Sequence, residues 1–291
     1  MFHATRRRAA ASLLATGLAL LAGLMPGAAL ADLFDRILAR GEIRIGVAEF
    51  TPWTIRQDDR LFGHEIDIGR RLANDMGVEP RFRLVPFGEI IGALQTGEID
   101  IIAAGLAITP SRALEVTFSR PYFRSGIGIA TNTAMTEAAS SLDDLNDPAY
   151  SIAYVSETMA ADFAEVLFGQ ADLRRFDRAD AAEAAVLEGE AAVYLASLPE
   201  ARFLALRNPD RVDLPLPDPL VGSAAGFAVA HGEERLLRFL DAWVVARTYD
   251  KWLTATYDFW FRSIEWAERL DGEGEDATGE APAVEGEGTT E

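Results

Sequence analysis

The stretch Gly97–Tyr122, GEIDIIAAGLAITPSRALEVTFSRPY, constrains the fold more than any other part of this chain. Asp100-Ile101-Ile102-Ala103-Ala104 is a short, mostly apolar run of the kind buried in a parallel sheet. Gly105 then permits close backbone approach. Thr109 is a good helix N-cap, and Pro110 suits the first helical position. Arg112 falls at the third helical position, beside amides that have no intrahelical acceptor. Free N–H groups together with a guanidinium suit a small carboxylate. The competing reading is a capped surface helix carrying a solvated arginine, and the local pattern leaves both open.

The chain has 291 residues, enough for one large domain or two lobes with cores of their own. It begins with Arg6-Arg7-Arg8, an apolar run from Ala9 to Met25, and Ala29-Leu30-Ala31. That order predicts a signal peptide over residues 1–31, cleaved after Ala31; the rival is an uncleaved anchor. The formal net charge is −19, and without the three arginines of that segment 24 basic residues face 46 acidic ones, or −22. Such a surface repels nucleic acid and anionic lipid at long range, so no nucleic-acid partner is expected. Cysteine is absent, which excludes disulfides, thiol catalysis and thiolate metal sites. No metal-ligand spacing occurs either, so no metal or cofactor is expected. From Asp271 to Glu291 there are eight acids, no Lys or Arg, and almost nothing apolar. Residues 267–291 read as a disordered acidic tail.

Between these ends, helical and extended runs alternate. Leu33–Arg40 reads as a helix and Ile43–Val47 as a strand, followed by the loop Glu49-Phe50-Thr51-Pro52-Trp53. Phe50 and Trp53 either face a ligand or fill the core. A helix opens near Gly63 and stops at Gly77. Glu65 and Asp67 lie on it two positions apart, so they do not share a face as a simple acid–base pair would. A strand over Arg81–Val85 and a helix over Phe87–Thr96 lead into the opening stretch, and Phe123–Thr131 continues as an extended run. Ser140–Pro148 reads as polar turns with a short helix. Tyr150–Val155 reads as a strand, with a helix after Thr158 running to Phe168. Ala179–Leu187 reads as a helix, Glu190–Ser197 as a strand, Arg207–Pro219 as irregular, and Val221–Val229 as a strand. Two C-terminal helices follow. Trp252, Tyr257, Phe259, Trp260 and Phe261 read as their packing.

The words Gly97…Asp100, Gly105, Ile108-Thr109-Pro110-Ser111-Arg112 and Phe118-Ser119-Arg120-Pro121-Tyr122 together resemble a family signature. It is that of the periplasmic solute-binding proteins that deliver polar amino acids to ABC importers. The resemblance implies an α/β chain with the two-lobed type II periplasmic binding fold. Each lobe would be a mixed sheet flanked by helices, with two crossing segments joining the lobes. The implied division is lobe 1 over 32–124, lobe 2 over 125–222, and a return to lobe 1 with C-terminal helices over 223–266. It implies that Arg112 holds a ligand carboxylate beside the Gly105 and Ala107 amides, and that Phe50 and Phe87 pack on the ligand body. In lobe 2 the family positions are Thr158 and Ser197. Glu157 stands where the family usually has Gly. Ser197 stands where it usually has the Asp that holds the ligand's ammonium. Either another acid, Glu49 or Glu157, replaces that Asp, or the ligand has no α-ammonium.

The function so implied is periplasmic binding of a small carboxylate-bearing solute, an amino acid first, by hinge closure. The partner would be an inner-membrane ABC permease, and the protein would be a monomer and not an enzyme. Two alternatives stay open. One is a secreted enzyme on the same scaffold, resembling cyclohexadienyl dehydratases, which requires a cleft carboxyl of raised pKa. The other is a binding module serving a sensor or a neighbouring enzyme.

Overall fold

The structure is a computed structural model and describes residues 32–264, 266 and 267. Its backbone is organised by two long strands, β6 (Thr117–Asn132) and β11 (Val221–Val229), which pair antiparallel from Val221↔Ile127 to Val229↔Thr117. Each carries one half-sheet on either side. On one side of β11 lie β5 (Ile101–Ile102), β1 (Glu42–Val47) and β4 (Glu79–Leu84), the last two parallel over six residue pairs. On the far side of β6 lie β9 (Val193–Ser197), β7 (Ser151–Val155) and β8 (Asp172–Phe176), parallel to one another. A hairpin of β2 (Ile55–Gln57) and β3 (Arg60–Phe62) stands apart, and β10 (Val212–Asp213) pairs with β6. The fold is thus two-lobed α/β, with a mixed sheet in each half.

Helices cover these half-sheets. In the first half they are α1 (Leu33–Arg40), α2 (His64–Met76), α3 (Ile90–Gln95) and α4 (Pro110–Ala113). In the second they are α5 (Met159–Phe168), α6 (Ala179–Leu187) and α7 (Leu198–Arg207). The chain ends on α8 (Glu234–Tyr249) and α9 (Trp252–Arg262), which pack back on the first half. Trp260 is buried and donates its indole N–H to Asp67 at 2.8 Å, while Phe261 stacks near Trp53, His64 and Phe123. The C-terminal aromatics are packing groups, as their sequence suggested. Glu65 and Asp67 diverge as helix geometry requires, Glu65 accepting from Tyr122 Oη at 3.0 Å and Asp67 from Trp260.

Local chemistry explains where the elements depart from expectation. Over 140–148 there are turns and no helix, because the Ser140 and Ser141 amides donate to the Asp144 carboxylate at 2.8 and 3.0 Å. A side chain that takes those donors competes with a helix for them. Strand β8, the β2–β3 hairpin and helix α7 carry no strong apolar period and emerge only in the structure. Trp266 and Ala267 are 2% exposed and belong to the packed body. The rest of the expected acidic tail, 268–291, and the expected signal peptide, 1–31, lie outside the described residues.

Asp100 ties the end of β5 to the first strand. Its buried carboxylate accepts from the Arg40 guanidinium, from the Arg44 amide at 2.7 Å and from the Arg44 guanidinium at 2.7 Å. Removing one partner of a buried pair leaves the others uncompensated, at about 3 kcal/mol or more. Asp100→Ala is therefore expected to lower the thermal midpoint by roughly 6–12 °C. Glu42→Ala, which removes only the partly exposed ion pair with Arg81, is expected to shift it by about a quarter of that or less. Paired thermal unfolding curves at neutral pH check both.

Candidate functional site

A cavity lies between the two halves, against the paired strands β6 and β11. Its interior is about 80 Å³, several times the roughly 10–15 Å³ that a single enclosed water needs. Phe50, Phe87, Gly105, Ala107, Arg112, Thr158 and Ser197 all line it, with Trp53, Phe123, Ser125, Gly126, Met159, Glu200 and Ser223 among their neighbours. Glu49 does not line it. It faces an adjoining chamber that shares Phe50 and Phe87, and its carboxylate lies 3.5 Å from Arg56. Glu157 faces the same chamber.

Arg112 is placed as the sequence suggested. Thr109 Oγ1 accepts from the Arg112 amide at 3.3 Å, and Pro110 opens the helix. The guanidinium donates to the Ala107 carbonyl at 3.2 Å and, across the cleft, to the Glu157 carbonyl at 2.9 Å. It also lies 5.5 Å from the Phe87 ring centroid, within cation–π range. Burial pulls its pKa below the ordinary value, partly offset by the nearby charges of Asp162 and Glu115. A desolvated guanidinium facing a cavity favours an anion there.

The remaining first-half residues form the walls. The Phe50 and Phe87 rings meet edge to face at 5.4 Å. Gly105 adopts a left-handed φ of +60°, and a Cβ there would lie 3.1 Å from the Trp53 indole. Its amide donates to Glu65 Oε1 at 3.1 Å, so it already has an acceptor other than a ligand. Ala107 bridges antiparallel to Ala225 and gives its carbonyl to Arg112.

In the second half, Thr158 caps α5: its Oγ1 accepts from the Ala161 amide at 3.3 Å and donates to the Val155 carbonyl at 2.8 Å. Glu157 has φ +61°. That left-handed conformation is one glycine adopts freely, whereas a non-glycine residue there costs of order 1 kcal/mol. The Glu157 carboxylate occupies the space over Gly88, where a Cβ would lie 1.7 Å from Oε2. It therefore bridges the two halves outside the cavity.

Glu200 is the residue that sequence reasoning missed. It is 7% exposed, lies on the first turn of α7, and reaches the cavity. Its Oε1 accepts from Ser197 Oγ at 2.7 Å and from Trp53 Nε1 at 3.1 Å, and its Oε2 accepts from Tyr194 Oη at 3.3 Å. Burial pushes its pKa up to about 7, although all three of those hydrogen bonds favour the ionised form. Glu183, on α6 nearby, is pushed up to about 8 by burial and by the charges of Glu200 and Asp180. A signal for Glu200 existed in Ser197-Leu198-Pro199-Glu200, a helix-start pattern of Ser and Glu three apart with Pro between.

The raised pKa has a stability consequence. Folding lifts the Glu200 carboxyl from 4.5 to about 7, so the folded state holds an extra proton between those values. The associated stability is fully present below pH 4.5 and is lost as pH rises through 7. Between pH 5 and 8 the unliganded protein is expected to lose on the order of 3 kcal/mol relative to Glu200→Gln. Urea unfolding of both proteins across that range measures the difference.

Comparison with known proteins follows the same lines. The model of the bacterial extracellular solute-binding proteins, family 3, matches residues 43–263. A probable amino-acid ABC transporter periplasmic-binding protein of Sinorhizobium fredii is 32% identical over 99 residues, which is 33% of each chain. The chain thus spans about a third of the length of this curated relative. Among solved structures, a putative ABC transporter binding component from Wolinella succinogenes, complexed with lysine, superimposes with a TM-score of 0.74 at 26% identity. The match covers 79% of this chain and 99% of that one. An ancestral amino acid-binding protein, described as a precursor of cyclohexadienyl dehydratase, gives a TM-score of 0.72 at 29% identity, covering 79% of this chain and all of the other. The fold is that of the type II periplasmic binding proteins, and the chain belongs to the bacterial extracellular solute-binding proteins of family 3.

Proposed function

We propose that this protein is a periplasmic receptor for a small carboxylate-bearing solute, an amino acid, which it delivers to an ABC importer. The observation that carries the reading is the partly desolvated guanidinium of Arg112 facing a largely apolar cavity between two halves. Arg112 holds the ligand carboxylate, with the Ala107 backbone and the first turn of α5 beside it. Phe50 and Phe87 close over the ligand body. Gly105 shapes the wall under Trp53, and Thr158 holds the α5 start in place. Glu49 acts only at the rim, through the adjoining chamber.

The lobes comprise residues 32–124 with 223–266, and 125–222. Closure is a rotation about the paired strands β6 and β11, with Arg112 to Glu157 and Trp53 to Glu200 as contacts made across the cleft. Residues 1–31 direct export and are removed. The protein works as a monomer, without metal or cofactor, and docks its closed form on a permease.

One observation favours a second reading. A secreted dehydratase on this scaffold needs a cleft carboxyl that is protonated near neutrality, and Glu200 meets that requirement. It would donate a proton to a departing hydroxyl of a cyclic, carboxylated substrate, which leaves as water while cleavage of the bond to the substrate's carboxylate, released as carbon dioxide, supplies the electron pair for the new ring double bond.

Thermal unfolding against a panel of amino acids, their deaminated analogues and small dicarboxylates tests the first reading. A ligand at 100 times its dissociation constant adds about 2.7 kcal/mol. Arg112→Ala is expected to weaken carboxylate binding by roughly a hundredfold, and Arg112→Lys by less, since the bidentate fork is lost but the charge remains. No shift with any carboxylate overturns the reading. For the second, proton NMR of the protein with a carboxylated cyclohexadienol detects turnover; none is expected from a receptor, and turnover lost in Glu200→Gln would establish the enzyme.

A further inference from the structure

Among the described residues, only two side chains of formal charge line the cavity, Arg112 and Glu200. Glu200 is buried, yet every donor it meets is neutral: the Ser197 and Tyr194 hydroxyls and the Trp53 indole. Among the described residues no cation pairs with it. The titratable groups that face it are Tyr194 from β9 and Glu183 from α6, neither of which supplies positive charge. Arg112 holds the opposite wall. A buried carboxyl without a cation takes a proton, and its ionised form is restored at low cost when a cation arrives with the ligand.

Ser197, at the end of β9, does not meet that need. Its hydroxyl proton goes to Glu200 Oε1 at 2.7 Å. Its oxygen accepts from the Trp53 indole at 3.3 Å and from the Glu200 amide at 3.4 Å. A hydroxyl has one proton and two lone pairs, so Ser197 is fully engaged. The Glu200 carboxylate offers about four acceptor positions and uses three, so one remains for a further donor.

We propose that Glu200 is the counter-ion for a ligand ammonium, and that Ser197 and Trp53 position it for that role. The inference rests on the carboxylate-receptor reading and deepens it: the ligand is zwitterionic, its carboxylate on Arg112 and its ammonium on Glu200. Neither Glu49 nor Glu157 substitutes for the acid that the strand end lacks, since both face the adjoining chamber. Pairing requires the ionised carboxylate, so below its pKa of about 7 the ligand must expel a proton as it binds. Affinity then falls as pH falls through 7 and levels off above it.

The test is titration calorimetry on the protein with L-arginine, L-lysine, L-histidine, L-glutamine and L-cystine. The tightest binder is then compared with its α-hydroxy analogue at pH 5, 6, 7 and 8. The expected outcome is an analogue that binds roughly 10–100-fold more weakly, and an amino-acid affinity that drops about tenfold per pH unit below 7. At pH 6, two buffers of different ionisation enthalpy should report release of most of a proton. Glu200→Gln should lose the slope together with roughly 10–100-fold of affinity at pH 8, while Glu183→Gln keeps the slope. The proton-release measurement uses only the unaltered protein and so stands even if a variant misfolds. An analogue that binds as well as the amino acid, or binding without proton release at pH 6, overturns the Glu200 assignment and leaves the receptor reading intact. Binding that survives Arg112→Ala undiminished, or no binding of any amino acid or analogue, overturns the receptor reading itself.

Discussion

The pairing of β6 with β11 is the constraint on which the rest depends. These two strands run side by side from one half-sheet to the other, and the cavity lies against their middle. Their approach is close: a Cβ on Gly126 would lie 2.0 Å from the Val221 carbonyl oxygen. Only a glycine fits there without pushing the strands apart. The same pair presents Phe123, Ser125, Gly126 and Ile127 from one strand, and Ser223 and Ala225 from the other, to the ligand space. A slip of one residue would turn these side chains to the opposite face. Joining the halves and shaping the cavity wall are therefore one task of one ladder.

The cavity brings charge into an apolar setting at two points and treats them differently. Arg112 shares its guanidinium with two backbone carbonyls and an aromatic face, and the nearby charges of Asp162 and Glu115 partly offset the cost of its burial. Glu200 is offered three neutral hydrogen bonds, and desolvation still outweighs them. The two walls thus differ in how readily they hold charge before a ligand arrives. Trp53 connects this difference to the halves themselves, because its indole spans the cleft to Ser197 and Glu200 while its ring packs on Phe123 and Phe261.

Much of the first half was legible in the chain. The Thr109 cap, the Pro110 helix start, the glycine turn at Gly105 and the buried Ile101-Ile102 run are local events, decided by dihedral preference and side-chain size over a few residues. Helices α2 and α6 announced themselves by apolar spacing and a stopping glycine. The second half was less legible. Strand β8, DLRRF, alternates weakly at a sheet edge, and α7 follows β9 without a break. Missing α7 meant missing Glu200, although Ser197 and Glu200 together spell a helix start. The expected replacements, Glu49 and Glu157, were near in sequence to family positions, but their side chains point to another chamber.

The sequence by itself determined the secondary structure of the signature stretch, the family, and the place of Arg112 at a helix start, because each rests on a pattern within a few residues of Arg112. Only the tertiary structure decided the other pole of the site. Glu200 acquires its environment from Trp53, 147 residues away, and from the closing of one half on the other. A carboxyl three residues into a helix is ordinary in a sequence. It becomes a candidate site only when burial removes water from it and no cation replaces that water. Desolvation is a property of the whole packed molecule, and no local pattern encodes it.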